Sequence, residues 1–284
     1  MKRRYALGYS TCGFAPGRSM VALIEKLAEL GYEGVEVELD RERLHPQTHD
    51  AALFRDVRRA LERTGLRAAV GTGGRHVLTE VRHHPGSVSE RPEDRARWVG
   101  FIRDATDAAS ELGAEVVMIH SGYKAREASD EASWSWLVDS MGELSRHAES
   151  RGRLLGLEWH PEMFLRTKAE YLRVRREVGS AALGCTLDVG HAHCTEDEPL
   201  PAVIRELAAY TVHVQLEDMR DRVHKHLRLG EGTLDFGAVF DAFTETDFGG
   251  VVALEFNAGD LGDNGDALAS DSISYLRRHV PSLF

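Results

Sequence analysis

ALGCTLDVGHAHC, residues 182–194, changes character at its midpoint. It starts as a short, nearly continuous apolar run. Asp188, Gly190, two histidines and a cysteine then follow in quick order. Such a run is too short for a helix core and lacks a polar face. That is the pattern of a strand covered on both sides, as in a parallel sheet.

Seven further runs share the pattern: YALGYST (5–11), GVEVELD (34–40), RAAVGTG (67–73), AEVVMIHSG (114–122), RLLGLEWHP (153–161), TVHVQLEDM (211–219) and VVALEFN (251–257). Helical periodicity fills the gaps. In the first gap Met20, Leu23, Ile24, Leu27 and Leu30 recur at three- and four-residue steps, and Gly31 marks the stop. Comparable patterns cover 50–64, 92–112, 131–150, 167–178, 200–210, 235–247 and 267–279. Eight strand–helix repeats without a linker predict one (β/α)8 TIM barrel over residues 1–284. A doubly wound open sheet is the alternative, but no GxGxxG stands at a strand–helix turn to favour it. The long connections 74–91 and 220–234 follow the third and seventh strands, on the face where sites of this fold lie.

The chain has 284 residues, 42 % apolar and 29 % charged, as expected for a globular chain with a large core. Forty-six acidic against 35 basic residues give a net charge of −11, which argues against a nucleic-acid partner. No segment approaches the roughly 18 apolar residues of a membrane span, and MKRRYALGYS lacks the apolar run of a signal peptide. The odd set Cys12, Cys185 and Cys194, with no CxxC pair, speaks against a disulfide framework. A cytoplasmic setting is therefore expected.

Several strands end in a residue able to ligate or to move protons: His120, Glu158, Asp188, Gln215 and Glu255. A closed barrel brings these ends together. Buried carboxylates repel one another unless a cation is present. Glu158, Asp188, Glu255 and the amide oxygen of Gln215 form an all-oxygen set suited to a hard divalent ion. Manganese heads the candidates, with magnesium, cobalt and zinc as alternatives.

The phrases LGLEWHP, LDVGH, VHVQLED followed by LGEGTLDF, and LEF resemble the xylose-isomerase-like barrels. These include sugar isomerases, ketose 3-epimerases, hydroxypyruvate isomerase and inosose dehydratases. Most members place histidine where this chain has Gln215. The hydroxypyruvate-isomerase branch has glutamine there, and His213 is the fallback ligand. The resemblance implies a metal-dependent isomerase or epimerase of a small sugar. Glu158 and Glu255 would be both ligands and proton carriers, acting through an enediolate that the metal stabilises. Asp188 would be a ligand only, and His191 would contact a substrate oxygen or join the metal. A lyase or dehydratase acting on a keto-sugar would share the first step.

A second resemblance is to endonuclease IV, a zinc phosphodiesterase. RVHKHLRLGEG (222–232) is similar to its loop after strand seven, making His224 and His226 a candidate second metal pair. VGTGG at the third strand end and Gln215 depart from that enzyme's pattern.

His120, His191, His226, Arg75 and Trp159 are the expected substrate contacts, with Trp159 as a pocket wall. Arg75, His76, Arg82, His83 and His84 lie in one loop that would cover the mouth. Pro161 implies a turn with solvated His160 and Glu162, and His193 and Cys194 are expected in a loop. The partners expected are a small carbohydrate and, as an assembly, a homo-oligomer.

Overall fold

The computed structural model describes residues 3–15, 17–74, 76–257 and 265–284. Eight parallel strands close into a barrel. In chain order they are β1 (Ala6–Ser10), β2 (Gly34–Glu38), β3 (Arg67–Gly71), β4 (Val116–His120), β5 (Leu154–Glu158), β6 (Leu183–Asp188), β7 (Thr211–Leu216) and β10 (Val251–Leu254). Each pairs with its sequence neighbours, and β10 closes onto β1 through Ala6–Val251 to Tyr9–Leu254. The open-sheet alternative is thereby excluded.

Helices α1 (Met20–Leu30), α2 (Ala51–Thr64), α3 (Pro92–Leu112), α4 (Asp130–Arg151), α5 (Lys168–Val178), α7 (Leu200–Leu207), α8 (Phe236–Thr244) and α9 (Gly265–His279) match the expected patterns. In α1 the stripe Met20, Leu23, Ile24 and Leu27 is fully buried. Each such side chain contributes about 1.5–3 kcal/mol by leaving water. Gly31 ends the helix with φ +92°, the left-handed cap that glycine adopts without Cβ strain.

Strand alternation fixes the site. Along β2, Val35 and Val37 belong to the apolar core while Glu36 and Glu38 alternate with them and are equally buried. A two-residue period thus puts one set of side chains under the helices and the other inside the barrel.

Two elements depart from the expected loops. Val189–Thr195 forms a short helix, α6, so His193 and Cys194 are helical rather than in a loop. The cause is Asp188, whose Oδ1 accepts the His191 N–H at 2.7 Å and caps the helix at the strand's end. From the end of the seventh run into the 220–234 connection, β8 (Asp218–Arg220) and β9 (Val223–Leu227) form an antiparallel hairpin. Its two-residue turn holds Asp221 and Arg222 at φ +56° and +57°, where non-glycine residues carry roughly 1–2 kcal/mol of strain each. Replacing this pair with Asn-Gly should therefore stabilise the protein by about 1 kcal/mol in denaturant titration. An unchanged midpoint would show that the turn is unstrained.

The three cysteines are free, and no helix among the described residues is long and apolar enough to cross a membrane.

Candidate active site

The C-terminal mouth of the barrel opens into a cavity of about 570 Å³. Glu158, His120, His191, His224, His226 and Glu255 line it, with His160, Met118 and Asn257. Arg82 and Lys225 bring positive charge to its rim. Residues from β4, β5, α6, β9 and the end of β10 therefore meet in one space.

Glu158 lies 2.7 Å from His191 Nδ1 through Oε1, and Asp188 Oδ2 lies 3.5 Å from the same nitrogen. All three side chains are buried. Burial alone would lower the His191 pKa, but Asp188 and Glu158 outweigh it and push it up to about 9. Burial raises the Glu158 carboxyl, partly offset by His191. Glu255 is raised well above the carboxylate range, first by burial and then by Glu36, Asp188 and Glu158. Several carboxyl groups thus come together, with His191 held among them.

Gln215 is fully buried opposite Asp188 in the strand register. Its Nε2 donates to Glu36 Oε1 at 3.4 Å, while Oε1 has no hydrogen-bond partner. The amide is thus held with its oxygen available. His213 lies one inward step lower, where its Nε2 is 2.5 Å from Glu36 Oε2. It is engaged with Glu36 in the layer beneath the mouth.

A cation fits the donors present. Asp188 Oδ2, Gln215 Oε1 and both oxygens of Glu217 are buried without hydrogen bonds. Orphaned oxygen acceptors cost free energy that a divalent ion would recover. Glu158, Asp188 and His191 have ligand atoms within 4.8 Å of one another, as do Glu217, His226 and Glu255. The same holds for His160, His191 and His224.

The second-metal expectation for His224 and His226 meets a wider histidine group. His191 Nε2 is 3.1 Å from His224 Nε2, which is 3.3 Å from His226 Nε2. Burial lowers the pKa of His160, His224 and His226, the last to about 4, so these imidazoles are neutral near pH 7. His120 is likewise lowered to about 4 by burial, and neither ring nitrogen has a hydrogen-bond partner.

Other expectations need correction. His160 is buried and packs edge-on against His191 and His224, with ring centroids 4.5 and 4.6 Å away. The turn at Pro161 folds it inward, because His160 N–H bonds Leu165 O at 2.9 Å. Glu162 does remain half-exposed, 3.5 Å from His224 Nδ1. Trp159 is no pocket wall. As the neighbour of inward-facing Glu158 it projects to the other side, where Nε1 donates to Thr195 Oγ1 at 3.1 Å. Only its carbonyl reaches the site, 3.2 Å from His191 Nδ1. Of the 74–91 loop, Arg82 and His83 line the cavity and His83 packs edge-on against His120. His76 and His84 lie outside that lining, and Arg75 falls outside the described residues.

The sequence reading missed Glu36, Glu38 and Glu217. Glu38 is raised well above the carboxylate range by burial and by Glu36 and Asp40. Alternation in GVEVELD and HVQLED was the available signal.

Asp218, buried beside the cavity, fastens the covering loop. It accepts backbone N–H bonds from Gly230 and Gly232 at 2.8 Å, Met219 at 3.0 Å and Leu234 at 3.2 Å. Gly232 is required there, since a Cβ would lie 2.1 Å from Asp218 Oδ1. Asp218→Asn should cost about 2 kcal/mol by removing charge from this set. Proteolysis after Arg228 should speed up, and an unchanged cleavage rate would count against the fastening role.

A closed parallel barrel with carboxylates, an amide and imidazoles at its C-terminal mouth defines the class, a (β/α)8 barrel with its site on the βα connections. Within it, the chain belongs to the xylose isomerase-like TIM barrel family, whose profile matches residues 24–279. An uncharacterised protein of Methanocaldococcus jannaschii is 32 % identical over 181 residues, covering 61 % of this chain and 60 % of that protein. Inosose dehydratase of Erwinia tasmaniensis is 25 % identical over 171 residues, 54 % of this chain and 57 % of that enzyme. The chain thus spans less than two thirds of either relative. A solved D-tagatose 3-epimerase-like protein shares the fold at TM-score 0.79 and 22 % identity, with 98 % of both chains covered.

Proposed function

We propose that the protein is a divalent-metal-dependent isomerase or epimerase of a small sugar or keto-sugar, working by proton transfer beside a carbonyl. The observation that carries this reading is the set Glu158, Asp188, Gln215 and Glu255 below a substrate-sized cavity, the first three buried, with Asp188 Oδ2 and Gln215 Oε1 lacking hydrogen bonds. The names of the 3-epimerase and dehydratase relatives support it. Glu158, Asp188, Gln215 and Glu255 would hold the ion, manganese first given their hard oxygen donors. When bound, it supplies electrophilic polarisation of the substrate's carbonyl and hydroxyl oxygens.

The chain's own residues do the rest. One of Glu158 and Glu255 takes the proton from the carbon next to the carbonyl, and the other returns one. In a reversible epimerisation the pair exchanges these roles with direction. His191 holds Glu158 in place and keeps it ionisable. Neutral His120 and His226 bind sugar hydroxyls as donors or acceptors. Arg82 and Lys225 hold the outer end of the substrate, and the 74–91 and 220–234 connections keep bulk water from the intermediate. The buried acidic floor suits a carbohydrate and disfavours nucleic-acid phosphate.

The dehydratase relative favours a second reading: the same first proton removal followed by loss of a β-hydroxyl. Incubating the manganese-loaded protein with a panel of ketoses and keto-sugars in D₂O tests both. Deuterium should enter the carbon beside the carbonyl. An epimer would mark the first reading and an unsaturated product the second. Absence of exchange across the panel, with metal bound, would refute both.

A further inference from the structure

Glu217 follows β7, and the reading above leaves it without a task. Inward positions on this strand alternate His213, Gln215 and Glu217, so its carboxylate joins the interior one step above Gln215. Leu254 pairs with Leu216, and Glu255 N–H donates to Leu216 O at 3.0 Å. Glu217 and Glu255 therefore leave neighbouring strands side by side. Glu217 is fully buried, and neither of its oxygens meets an N–H or O–H donor; the Asp188 carboxylate lies against it and raises it further. A structural carboxylate at this depth would be tied to backbone N–H groups, as Asp218 next to it is.

Space for it is built in. A Cβ on Gly190 would come within 1.8 Å of Glu217 Oε1, so glycine at the second residue of α6 leaves room for this side chain where it stands. Across the gap, β9 carries His226, whose Nδ1 lies 3.4 Å from the Glu255 carbonyl oxygen and also faces both carboxylates. It is 3.9 Å from Glu217 Oε2 and 4.0 Å from Glu255 Oε2. These separations are too long for hydrogen bonds and short enough for three ligands of one ion.

We propose that Glu217, His226 and Glu255 hold a second divalent cation beside the first, with Glu255 shared between them. Two oxygens and one imidazole suit manganese or cobalt. Carboxylate-bridged pairs of ions stand about 3.5–4 Å apart. A second ion would neutralise Glu217. The proposal moves His226 from the sugar hydroxyls to the second ion and gives it Glu217 and Glu255 as partners, where the sequence reading paired it with His224.

This inference rests on the metal reading of the preceding subsection, and its test separates the two. The metal-stripped full chain is titrated with Mn²⁺, bound metal is counted by elemental analysis after dialysis, and the frozen sample is read by electron paramagnetic resonance. Two Mn²⁺ per chain with an exchange-coupled spectrum are expected. Glu217→Gln and, independently, His226→Gln should each leave one Mn²⁺ with an uncoupled six-line signal. His226 sits at the mouth, so its variant stays informative if Glu217→Gln folds poorly. One Mn²⁺ in the wild type, or two retained in both variants, would overturn the second site. If that single ion is lost in Asp188→Asn but not in Glu217→Gln, the first site stands alone. No Mn²⁺ bound to the wild type would remove both.

Discussion

Glu158→Gln and Glu255→Gln should each lower turnover on the accepted keto-sugar by about 10³-fold, the loss expected when a positioned acid–base group is removed. Glutamine keeps the shape and an oxygen donor but cannot carry a proton. The substrate KM should therefore change by less than about tenfold, because the loss falls on the transition state. The double variant should fall little further, since both groups lie on one proton path and their effects are not additive. Solvent deuterium exchange should drop in parallel with turnover. Glu162→Gln is the control: its carboxylate is half-exposed at the rim, 3.5 Å from His224 Nδ1, and should change turnover less than about threefold. Either Glu158→Gln or Glu255→Gln with near-normal exchange would show that the proton moves elsewhere.

The second large effect is on stability, and its sign depends on the cation. Burial first, and then neighbouring carboxylates, raise Glu38, Glu217 and Glu255 well above the ordinary range. A carboxyl raised on folding binds more protons in the folded than in the unfolded state. Stability contributed by that protonation is present at low pH. It is lost as pH climbs from the unfolded value of roughly 4.3 through the raised folded values. The histidines His120, His160, His224 and His226, lowered by burial, act with the opposite sign below about pH 6.5 and are neutral above it. The metal-free protein should therefore melt at lower temperature at pH 8 than at pH 7. A divalent cation replaces those protons and reverses the trend, because its binding competes with them. At a thousandfold excess over Kd, binding adds about 4 kcal/mol. For a chain of this size that is roughly 10 °C in Tm. Calorimetry at the two pH values, with chelator and with Mn²⁺, checks the sign and the size. A metal-free protein more stable at pH 8, or a Tm indifferent to Mn²⁺, would contradict the assignment.

The barrel was legible because parallel strands leave dense signals. Runs such as VVMIH and LLGLE are nearly continuous in apolar residues, and the helices between them show a 3.6-residue period. Polar strand ends revealed Glu158, Asp188, Gln215 and Glu255 as a candidate set for the same reason, since each interrupts such a run. Glu36 and Glu38 were hidden by the opposite circumstance. In GVEVELD the charges alternate with valines and look like the wet face of an ordinary strand, and only closure turns that face inward. Glu217 was obscured by its neighbour Asp218, which made LED read as the start of a loop. Trp159 was misplaced because adjacency in sequence is opposition across a strand. Helix α6 was missed because seven residues cannot display a helical period, and its cap, Asp188, had already been taken for a ligand. His160 needed tertiary contacts, its packing on His191 and His224, that no local pattern announces.

On this assignment, Glu158, Asp188, Gln215 and Glu255 would hold a divalent cation at the mouth of the barrel. Anomalous scattering at the manganese edge from a crystal grown in Mn²⁺ tests it most directly. A peak within about 2.0–2.3 Å of oxygens from all four residues is predicted, including Oε1 of Gln215. A crystal with manganese bound only elsewhere, or with none and Gln215 still turned wholly to Glu36, would contradict it.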